Sequence, residues 1–287
     1  ETLAVIGGGY IGVELGSAFA RFGSKVTIVE AMDRILPLYD AELVGPVTGS
    51  LKKLGVEVLL DTKATKRRTD TLVVETSGGK SLEVDADYVL VTVGRRPLVN
   101  GWGRENLVLD MAGSSIAVDE YCRTSMSGVF AIGDVTGEPM LAHRAMAQAE
   151  IVTEIIAGKH RIFDPVAMPA ICFTDPEIVT VGLSAKDASE AGYNVKVSKF
   201  PFAANGRAMT MQAEDGFVRV ILDAESEKIL GLAAVGTGVS ELASSFSLAL
   251  EMGACLEDIA TTIHAHPTLG EAIQEASFLA QGRALHL

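Results

Sequence analysis

The chain has 287 residues, of which 48% are hydrophobic and 21% charged, which is enough for about two globular domains. Its formal net charge of −13 argues against nucleic acid or an anionic membrane surface as a partner, because both repel an acidic protein. No apolar run is long enough to span a bilayer, since Glu14 and Arg21 interrupt the first hydrophobic region.

The three cysteines, Cys122, Cys172 and Cys255, are far apart in the sequence. No close pair indicates a redox dithiol or a zinc site, so we predict no metal site. Scattered cysteines are typical of a reducing compartment, where most act as small hydrophobic residues. We therefore expect a cytoplasmic protein.

The first elements predict a βαβ unit. Residues 2–6 form a short apolar run, as a buried parallel strand does, and residues 10–22 carry apolar side chains at helical spacing. Gly23 is placed to end this helix, and a second strand follows at 25–29. Because a core strand begins at once with Thr2, we expect the chain to be part of a longer one.

A glycine loop joins the first strand to the helix. Gly7, Gly9 and Gly12 match the pattern G-x-G-x-x-G in the strand-to-helix context that a dinucleotide-binding loop needs. The first glycine permits a tight turn, the second lets the backbone approach a pyrophosphate, and the third lets the helix pack closely on the strand. The helix N-terminus attracts the phosphate charge.

Glu30 ends the second strand, 23 residues after Gly7. An acid at this position accepts hydrogen bonds from a ribose 2′-OH and repels a 2′-phosphate. The sequence therefore favours NAD over NADP. The alternative is that Glu30 is a solvated residue at the end of a strand.

Further elements follow in both halves of the chain. In the first half we predict a helix at 40–54, a strand at 56–60, a hairpin of 71–76 and 81–85, and a buried strand at 88–93. A short strand pair, an apolar segment ending at Asp134 and a long helix at 142–157 come next. Beyond Pro169 we predict an α+β module with strands at 195–200, 218–222 and 229–234 and helices at 184–191, 239–252, 256–263 and 271–281.

A histidine–proline motif lies near the C-terminus, in residues 264–271. His266 precedes Pro267, which pushes its backbone into an extended or turn conformation. A carboxylate bonded to one imidazole nitrogen fixes the tautomer and raises the basicity of the other nitrogen. We predict His266 as a general base oriented by Glu271, with His264 as the weaker candidate because it lacks the proline. A buried structural histidine–glutamate pair is the alternative.

These motifs together resemble one family. The segments 7–14, 94–97, 128–137 and 264–271 occur in the same order in the FAD-dependent pyridine nucleotide–disulfide oxidoreductases. The resemblance covers all 287 residues. Residues 101–107, 202–208 and 264–269 are most similar to the members that oxidise dihydrolipoyl groups. The alternatives are a related reductase of the glutathione reductase type, which Glu30 disfavours, and a non-catalytic NAD-binding and dimerisation fragment.

The resemblance implies a three-part architecture. It divides the chain into a Rossmann-like α/β NAD-binding domain at 1–98, the remainder of an FAD-binding domain at 99–163 and an α+β interface domain at 164–287. It implies NAD and FAD as cofactors, a homodimer, and the dihydrolipoyl domain of 2-oxo acid dehydrogenase complexes as a partner.

The resemblance also implies roles for residues at matching positions. The NAD-binding set is Gly7, Gly8, Gly9, Tyr10, Ile11, Gly12, Val13, Glu14, Glu30, Ala64 and Gly94, with Tyr10 as an aromatic lid and Glu14 near the nicotinamide and the flavin. Asp134 would bond the flavin ribityl chain, and the helix start formed by Met140, Leu141, Ala142 and His143 would face the flavin ring. The side chain of His143 would do no chemistry.

For the catalytic pair, the resemblance implies that His266 takes the proton of a dihydrolipoyl thiol, and that the His266–Pro267 peptide bond is cis. In the family this histidine serves the redox disulfide of the other subunit. That disulfide lies on a CxxxxC segment of an N-terminal FAD domain with its own glycine loop, and neither occurs in this sequence. We therefore expect the chain alone not to bind FAD tightly or to turn over.

Overall fold

The computed structural model describes all residues from 1 to 287 and divides into two compact units. One unit is formed by Glu1–Val93 together with Ala167–Leu287, and the other by Gly94–Val166. The first and last parts of the chain thus share one compact unit. The three-part division at residues 98 and 163 stays a prediction. No helix combines the length and the apolar character that crossing a membrane requires.

The N-terminal part of the first unit contains a parallel sheet and a smaller antiparallel sheet. Its elements are β1 (Thr2–Ile6), α1 (Tyr10–Arg21), β2 (Lys25–Val29), α2 (Ala41–Lys53), β3 (Glu57–Leu59), β4 (Thr62–Arg67), β5 (Thr71–Thr76), β6 (Ser81–Asp85) and β7 (Tyr88–Val91). The parallel sheet has the order β3-β2-β1-β7, and β4-β5-β6 form the antiparallel one. The predicted βαβ unit and hairpin are confirmed, whereas β4 was not predicted.

Helix α1 buries a different face from the one its apolar spacing indicates. Leu15 and Phe19 are 40% and 44% exposed, and Phe22 is 85% exposed. The buried face consists of Gly12, Val13, Gly16 and Ser17. A Cβ at Gly16 would lie 3.4 Å from the nearest atom of Ile28, so small residues allow the helix to lie directly on the sheet.

The second unit is small and contains little regular structure. Its elements are a 3₁₀ turn at Arg104–Asn106, β8 (Met111–Ala112), β9 (Ser115–Ile116), a second 3₁₀ turn at Gly133–Thr136 and α3 (Ala142–Ile156). Val99, Ile116 and Ala131 form its buried core. The long helix predicted at 142–157 is confirmed as α3.

The C-terminal part of the first unit is a five-stranded antiparallel sheet with helices. Its elements are β10 (Ala170–Cys172), β11 (Glu177–Gly182), α4 (Ala185–Glu190), β12 (Val195–Pro201), α5 (Gly206–Thr210), β13 (Phe217–Asp223), β14 (Ile229–Gly236), α6 (Ala243–Glu251), α7 (Leu256–Thr261) and α8 (Glu271–Ala280). The sheet order is β10-β11-β14-β13-β12. The helix predicted at 239–252 is a 3₁₀ turn at Val239–Leu242 followed by α6, and β10, β11 and α5 were not predicted.

The two parts of the first unit share a hydrophobic core. Leu43 and Val47 of α2 belong to the same buried cluster as Ile178, Phe217 and Val235 of the five-stranded sheet. Burial of apolar surface is the main favourable term in folding. The α2 face of the N-terminal sheet is therefore completed by strands more than a hundred residues later in the sequence.

A buried arginine reinforces this contact. The Arg219 side chain on β13 is 5% exposed, and its Nη1 lies 3.0 Å from Asp40 Oδ2. Its Nη2 contacts Glu42 at the start of α2. Burial acts to raise the pKa of Asp40, but the Glu42 N–H and the Arg219 guanidinium outweigh it and hold that pKa below its usual value. None of these three residues was evident from the sequence.

We predict that Arg219→Ala lowers the free energy of unfolding by about 2–3 kcal/mol, because it leaves two carboxylates without their buried partner. The carboxylates are themselves partly exposed, which keeps the loss below that of a fully buried pair. The control is Lys53→Ala, which removes an exposed ion pair with Asp215 and should cost about 0.5 kcal/mol or less. Urea unfolding measures both variants, and equal losses would contradict this assignment.

Candidate functional site

The glycine loop is tightly packed on one side and open on the other. Gly7 has φ +106°, and a Cβ there would lie 2.6 Å from the Thr92 carbonyl oxygen. A Cβ at Gly12 would overlap the Gly7 carbonyl oxygen, whereas a Cβ at Gly9 would have no atom within 4 Å. The loop can therefore admit a ligand at Gly9, which is where a pyrophosphate approaches in such loops. Gly9 also begins α1 without a side-chain cap, which leaves the helix N-terminus to an anion.

Glu30 is bound to the loop that it follows in the sequence. Its side chain is buried, Oε2 accepts the Gly8 N–H at 2.5 Å and Oε1 accepts the Met32 N–H at 2.8 Å. Glu30 is therefore not the solvated residue that the alternative proposed. Each carboxylate oxygen has a second lone pair, so both can still accept a bond from a hydroxyl group.

The other loop residues differ in what they expose. Tyr10 and Ile11 are half-buried, while the side chain of Val13 is fully buried and its N–H bonds the Gly9 carbonyl at 3.0 Å. Ala64 lies half-buried on β4, where it packs against the core of the small antiparallel sheet. The cofactor contacts assigned to these four residues stay predictions.

Glu14 connects α1 to the C-terminal sheet. Its Oε1 accepts the N–H of Phe173 at 2.7 Å, and it also contacts the thiol of Cys172. Burial raises the pKa of Glu14, although these two hydrogen bonds act against the rise. Burial, with the Glu14 carboxylate nearby, raises the pKa of Cys172 to about 12. The Cys172 thiol is therefore protonated and unreactive at neutral pH.

The residues predicted to contact a flavin lie in the second unit, as does Gly94, which has φ +126°. Asp134 is exposed in the 3₁₀ turn, with Oδ2 3.8 Å from Arg95 Nη1. Arg95 Nη2 donates to the Met140 carbonyl at 2.7 Å. Helix α3 begins after Leu141 without a side-chain cap, so its N-terminal amides are open to an anion. Ala142 and His143 are both exposed.

Two buried polar residues of α3 hold this segment together. Arg144 donates to the Gly137 carbonyl at 2.7 Å and to Thr136 Oγ1 at 3.0 Å. Gln148 accepts the Gly133 N–H at 2.8 Å through Oε1. Sequence reasoning missed both, although two polar residues four positions apart on one helix share a face.

His266 and Glu271 lie in hydrogen-bond contact. His266 Nδ1 is 2.9 Å from Glu271 Oε1, and Glu271 Oε2 accepts the Thr268 N–H at 2.7 Å. The histidine side chain is 69% exposed and the glutamate 16% exposed. Glu271 is also the first residue of α8, where the helix dipole stabilises its charge. With Nδ1 bonded to the carboxylate, Nε2 is the nitrogen left to act on a ligand.

The rival histidine is differently placed. His264 Nδ1 lies 2.8 Å from the Thr262 carbonyl oxygen, so this nitrogen donates to the backbone rather than to a carboxylate. The His266–Pro267 peptide bond is cis, as the resemblance implies. The three cysteines are free, two of them buried.

Two family models match the chain. One, described as pyridine nucleotide-disulphide oxidoreductase, matches residues 1–149, and the dimerisation domain of the same family matches residues 168–277. The chain therefore belongs to the pyridine nucleotide-disulphide oxidoreductase family. Proteins of this family use FAD and NAD. The predicted combination of a nucleotide-binding part and a dimerisation part is confirmed at this level.

Several curated relatives and solved structures are similar to the chain. Dihydrolipoyl dehydrogenase from Pseudomonas aeruginosa is 56% identical over the whole chain, and that from Geobacillus stearothermophilus is 44% identical. The chain spans 62% of the length of each. The flavoprotein disulfide reductase RclA from Escherichia coli, which is induced by HOCl, has a TM-score of 0.88 at 27% identity, covering 97% of this chain and 64% of that one. LpdA from Mycobacterium tuberculosis has a TM-score of 0.87 at 27% identity, with coverages of 96% and 61%.

We predict opposite defects for alanine at two glycines of the loop. Gly9→Ala places its methyl group in the open space, so NADH binding should weaken at least tenfold while stability falls by about 1 kcal/mol or less. Gly12→Ala forces the helix off the strand and should lower the free energy of unfolding by about 2 kcal/mol or more. NADH fluorescence titration and urea unfolding separate the two. Tight NADH binding by Gly9→Ala would place the ligand elsewhere.

Proposed function

We propose that this chain is the NAD-binding, flavin-contacting and dimer-forming part of a dihydrolipoyl dehydrogenase. The reaction is the oxidation of dihydrolipoyl groups of 2-oxo acid dehydrogenase complexes, with electrons passing through a redox disulfide and FAD to NAD⁺. The observation that carries the proposal is the hydrogen-bonded His266–Glu271 pair, in a chain 56% identical to a dihydrolipoyl dehydrogenase over its full length.

The glycine loop and Glu30 suit NAD. The open space at Gly9 and the uncapped start of α1 provide for the pyrophosphate. Glu30, already fixed by two N–H groups, accepts the ribose hydroxyls and excludes a 2′-phosphate by charge. Glu14 and Tyr10 line the nicotinamide end, and Gly94 and Ala64 contribute backbone contacts.

The second unit suits part of a flavin site. Asp134 would bond the ribityl chain, and the amides at the start of α3, from Met140 to His143, would face the ring. When bound, FAD supplies the two-electron carrier between the dithiol and the nicotinamide. The work of Arg144 and Gln148 is to hold the loop that presents Asp134 and Met140.

His266 serves as the general base for the substrate thiol. Its Nδ1–H donates to Glu271, so Nε2 accepts the thiol proton and the carboxylate stabilises the imidazolium that results. The thiolate attacks one sulfur of the redox disulfide, a mixed disulfide forms, and the other sulfur leaves as a thiolate. The second substrate thiol then displaces the enzyme sulfur and closes the lipoyl disulfide. The redox disulfide comes from a segment outside this sequence, on the second subunit of a homodimer.

The setting of this reaction follows from the same assignment. We place the enzyme in the cytoplasm, where a reducing environment keeps Cys122, Cys172 and Cys255 as free thiols. The acidic chain acts on a lipoyl domain of a partner protein rather than on nucleic acid.

A second candidate is an NAD-binding and dimerisation module without catalysis of its own. It is favoured by one observation, that the chain carries no CxxxxC segment. The intact mass and the flavin absorbance of the purified protein discriminate the two. If the natural protein, purified from its own source, is yellow and has a higher mass, the enzyme is supported, whereas a natural protein that is a colourless 287-residue dimer and binds NADH supports the module.

We predict that His266→Gln lowers kcat/KM for dihydrolipoamide roughly 10²- to 10⁴-fold in the flavin-loaded enzyme, because the thiol loses its base. Glu271→Gln should lower it less, since an amide still orients the ring but carries no charge. NADH oxidation by an artificial acceptor, which needs no thiol deprotonation, is the internal control and should not change. Equal loss in both assays, or none in either, contradicts the role of His266.

We predict that Glu30→Arg reduces the ratio of NAD affinity to NADP affinity at least tenfold, about 1.4 kcal/mol, because a cation replaces the group that repels the 2′-phosphate. The matched control is Glu57→Arg, which makes the same charge change on the neighbouring strand β3. Isothermal titration with both nucleotides measures the ratio. An undiminished preference for NAD in Glu30→Arg would exclude Glu30 as the selecting residue.

A further inference from the structure

The segment 202–208, which carries part of the sequence resemblance, has no role in the site described so far. It forms a 3₁₀ turn at Phe202–Ala204, and Asn205 then begins α5. Asn205 is 4% exposed, which is unusual for an uncharged polar side chain of this size. A buried amide must find partners for its oxygen and its nitrogen, and these partners indicate what it does.

The two ends of the Asn205 side chain bind two different segments. Oδ1 accepts the Ala208 N–H at 2.9 Å and so caps α5. Nδ2 donates to the Thr268 carbonyl at 3.0 Å, across a gap of 63 residues in the sequence. The first bond needs only a good N-cap residue, whereas the second needs an amide donor that reaches the loop.

Thr268 lies in the segment 264–270 that precedes α8 and carries His266, which we call the histidine loop. Its N–H donates to Glu271 Oε2 at 2.7 Å, and its Oγ1 donates to the Ala265 carbonyl at 2.7 Å. The other oxygen of Glu271 contacts His266 Nδ1 at 2.9 Å. The bond from Asn205 to the Thr268 carbonyl therefore fixes Thr268. The Thr268 N–H in turn holds the Glu271 carboxylate, and its hydroxyl holds Ala265, the residue before His266.

The start of α5 also borders the imidazole. A Cβ at Gly206 would lie 3.9 Å from His266 Cε1, which is ordinary van der Waals contact. The same short segment thus limits the space beside the ring and anchors the loop that carries it. Because His266 is largely exposed and has one bonded nitrogen, its orientation depends on this loop.

We propose that Asn205 is a positioning residue for the His266–Glu271 pair. Its Nδ2 bond to the Thr268 carbonyl holds the loop in the conformation in which Glu271 meets His266 Nδ1. The inference rests on the proposed function for its kinetic consequence, whereas its structural consequence, the tautomer and orientation of His266, can be observed without turnover.

The test variant is Asn205→Ser, which keeps an oxygen that caps α5 but cannot reach Thr268. The matched control is Ser198→Ala. Ser198 Oγ is buried and donates to the Ala276 carbonyl of α8 at 2.6 Å. Its loss therefore removes a buried hydrogen bond to the helix that Glu271 begins, but not one to the histidine loop. Urea unfolding matches the two variants for stability. If Asn205→Ser folds poorly, Asn205→Asp keeps the size and the cap and lacks the donor.

Two measurements decide the matter. In the flavin-loaded enzyme, Asn205→Ser should lower kcat/KM for dihydrolipoamide roughly ten- to a hundredfold through misplacement of the base, with NADH oxidation by an artificial acceptor unchanged. In the 287-residue chain, ¹⁵N shifts of the His266 ring should show a smaller fraction of the Nδ1–H tautomer. Ser198→Ala should change neither quantity.

The outcomes separate the two proposals. If Asn205→Ser matches Ser198→Ala in both kcat/KM and tautomer fraction, the positioning role is wrong and Asn205 only caps α5. If the tautomer changes but thiol oxidation survives in both Asn205→Ser and His266→Gln, the positioning role stands and the proposed function of His266 fails. If His266→Gln is impaired and Asn205→Ser is not, only the positioning role fails.

Discussion

The contact between α2 and the five-stranded sheet is the constraint on which the arrangement of the first unit depends. Leu43 and Val47 share a buried cluster with Phe217 and Val235, and Arg219 adds a buried charge that only the start of α2 satisfies. Apolar burial is the main favourable term in this contact, and the Arg219 guanidinium adds ion pairs to Asp40 and Glu42 at the start of α2. In the same compact unit, the N–H of Phe173, in the C-terminal part, donates to the Glu14 carboxylate on α1. One surface of the nucleotide-binding part is therefore built by the part that matches a dimerisation domain.

The two carboxylates to which we assign roles, Glu30 and Glu271, are both held by backbone N–H groups. The Glu30 carboxylate accepts the N–H groups of Gly8 and Met32. The Glu271 carboxylate accepts the Thr268 N–H through one oxygen and contacts His266 Nδ1 through the other. A carboxylate fixed in this way loses little further conformational entropy when it binds a hydroxyl group or orients an imidazole, so its interaction is preorganised. Each acid lies next to a loop that supplies such an N–H group, since Met32 follows Glu30 and Thr268 precedes Glu271. The position of each carboxylate therefore depends on the conformation of its loop.

Features that depend on neighbours in sequence were predictable, and features that depend on distant partners were not. The glycine loop, Glu30 and the His266–Glu271 pair are defined within short segments, where spacing alone limits the geometry. The close packing of Gly12 was predicted, but the rest of the buried face of α1 was not evident, because the sheet selects the small residue Gly16 over the larger Phe19. Arg219 and Asn205 could not be assigned from local pattern for a related reason. Their meaning lies in partners that only the folded chain brings near, such as Thr268 for Asn205.

The exposure of His266 is consistent with the proposed reaction, in which the redox disulfide is supplied by another subunit. The Glu271 carboxylate that contacts Nδ1 is largely buried, and it therefore holds the imidazole with Nε2 on the side of the ring away from Glu271. No cysteine of the chain can replace the redox disulfide of the proposed reaction. Cys172, which contacts Glu14, is a free cysteine, so it has no second sulfur with which to form a disulfide. It is also fully buried, which raises its pKa to about 12, so it provides no thiolate at neutral pH. The exposed imidazole, held by Glu271 and without a redox thiol beside it, therefore supports the proposal that a second subunit completes the site.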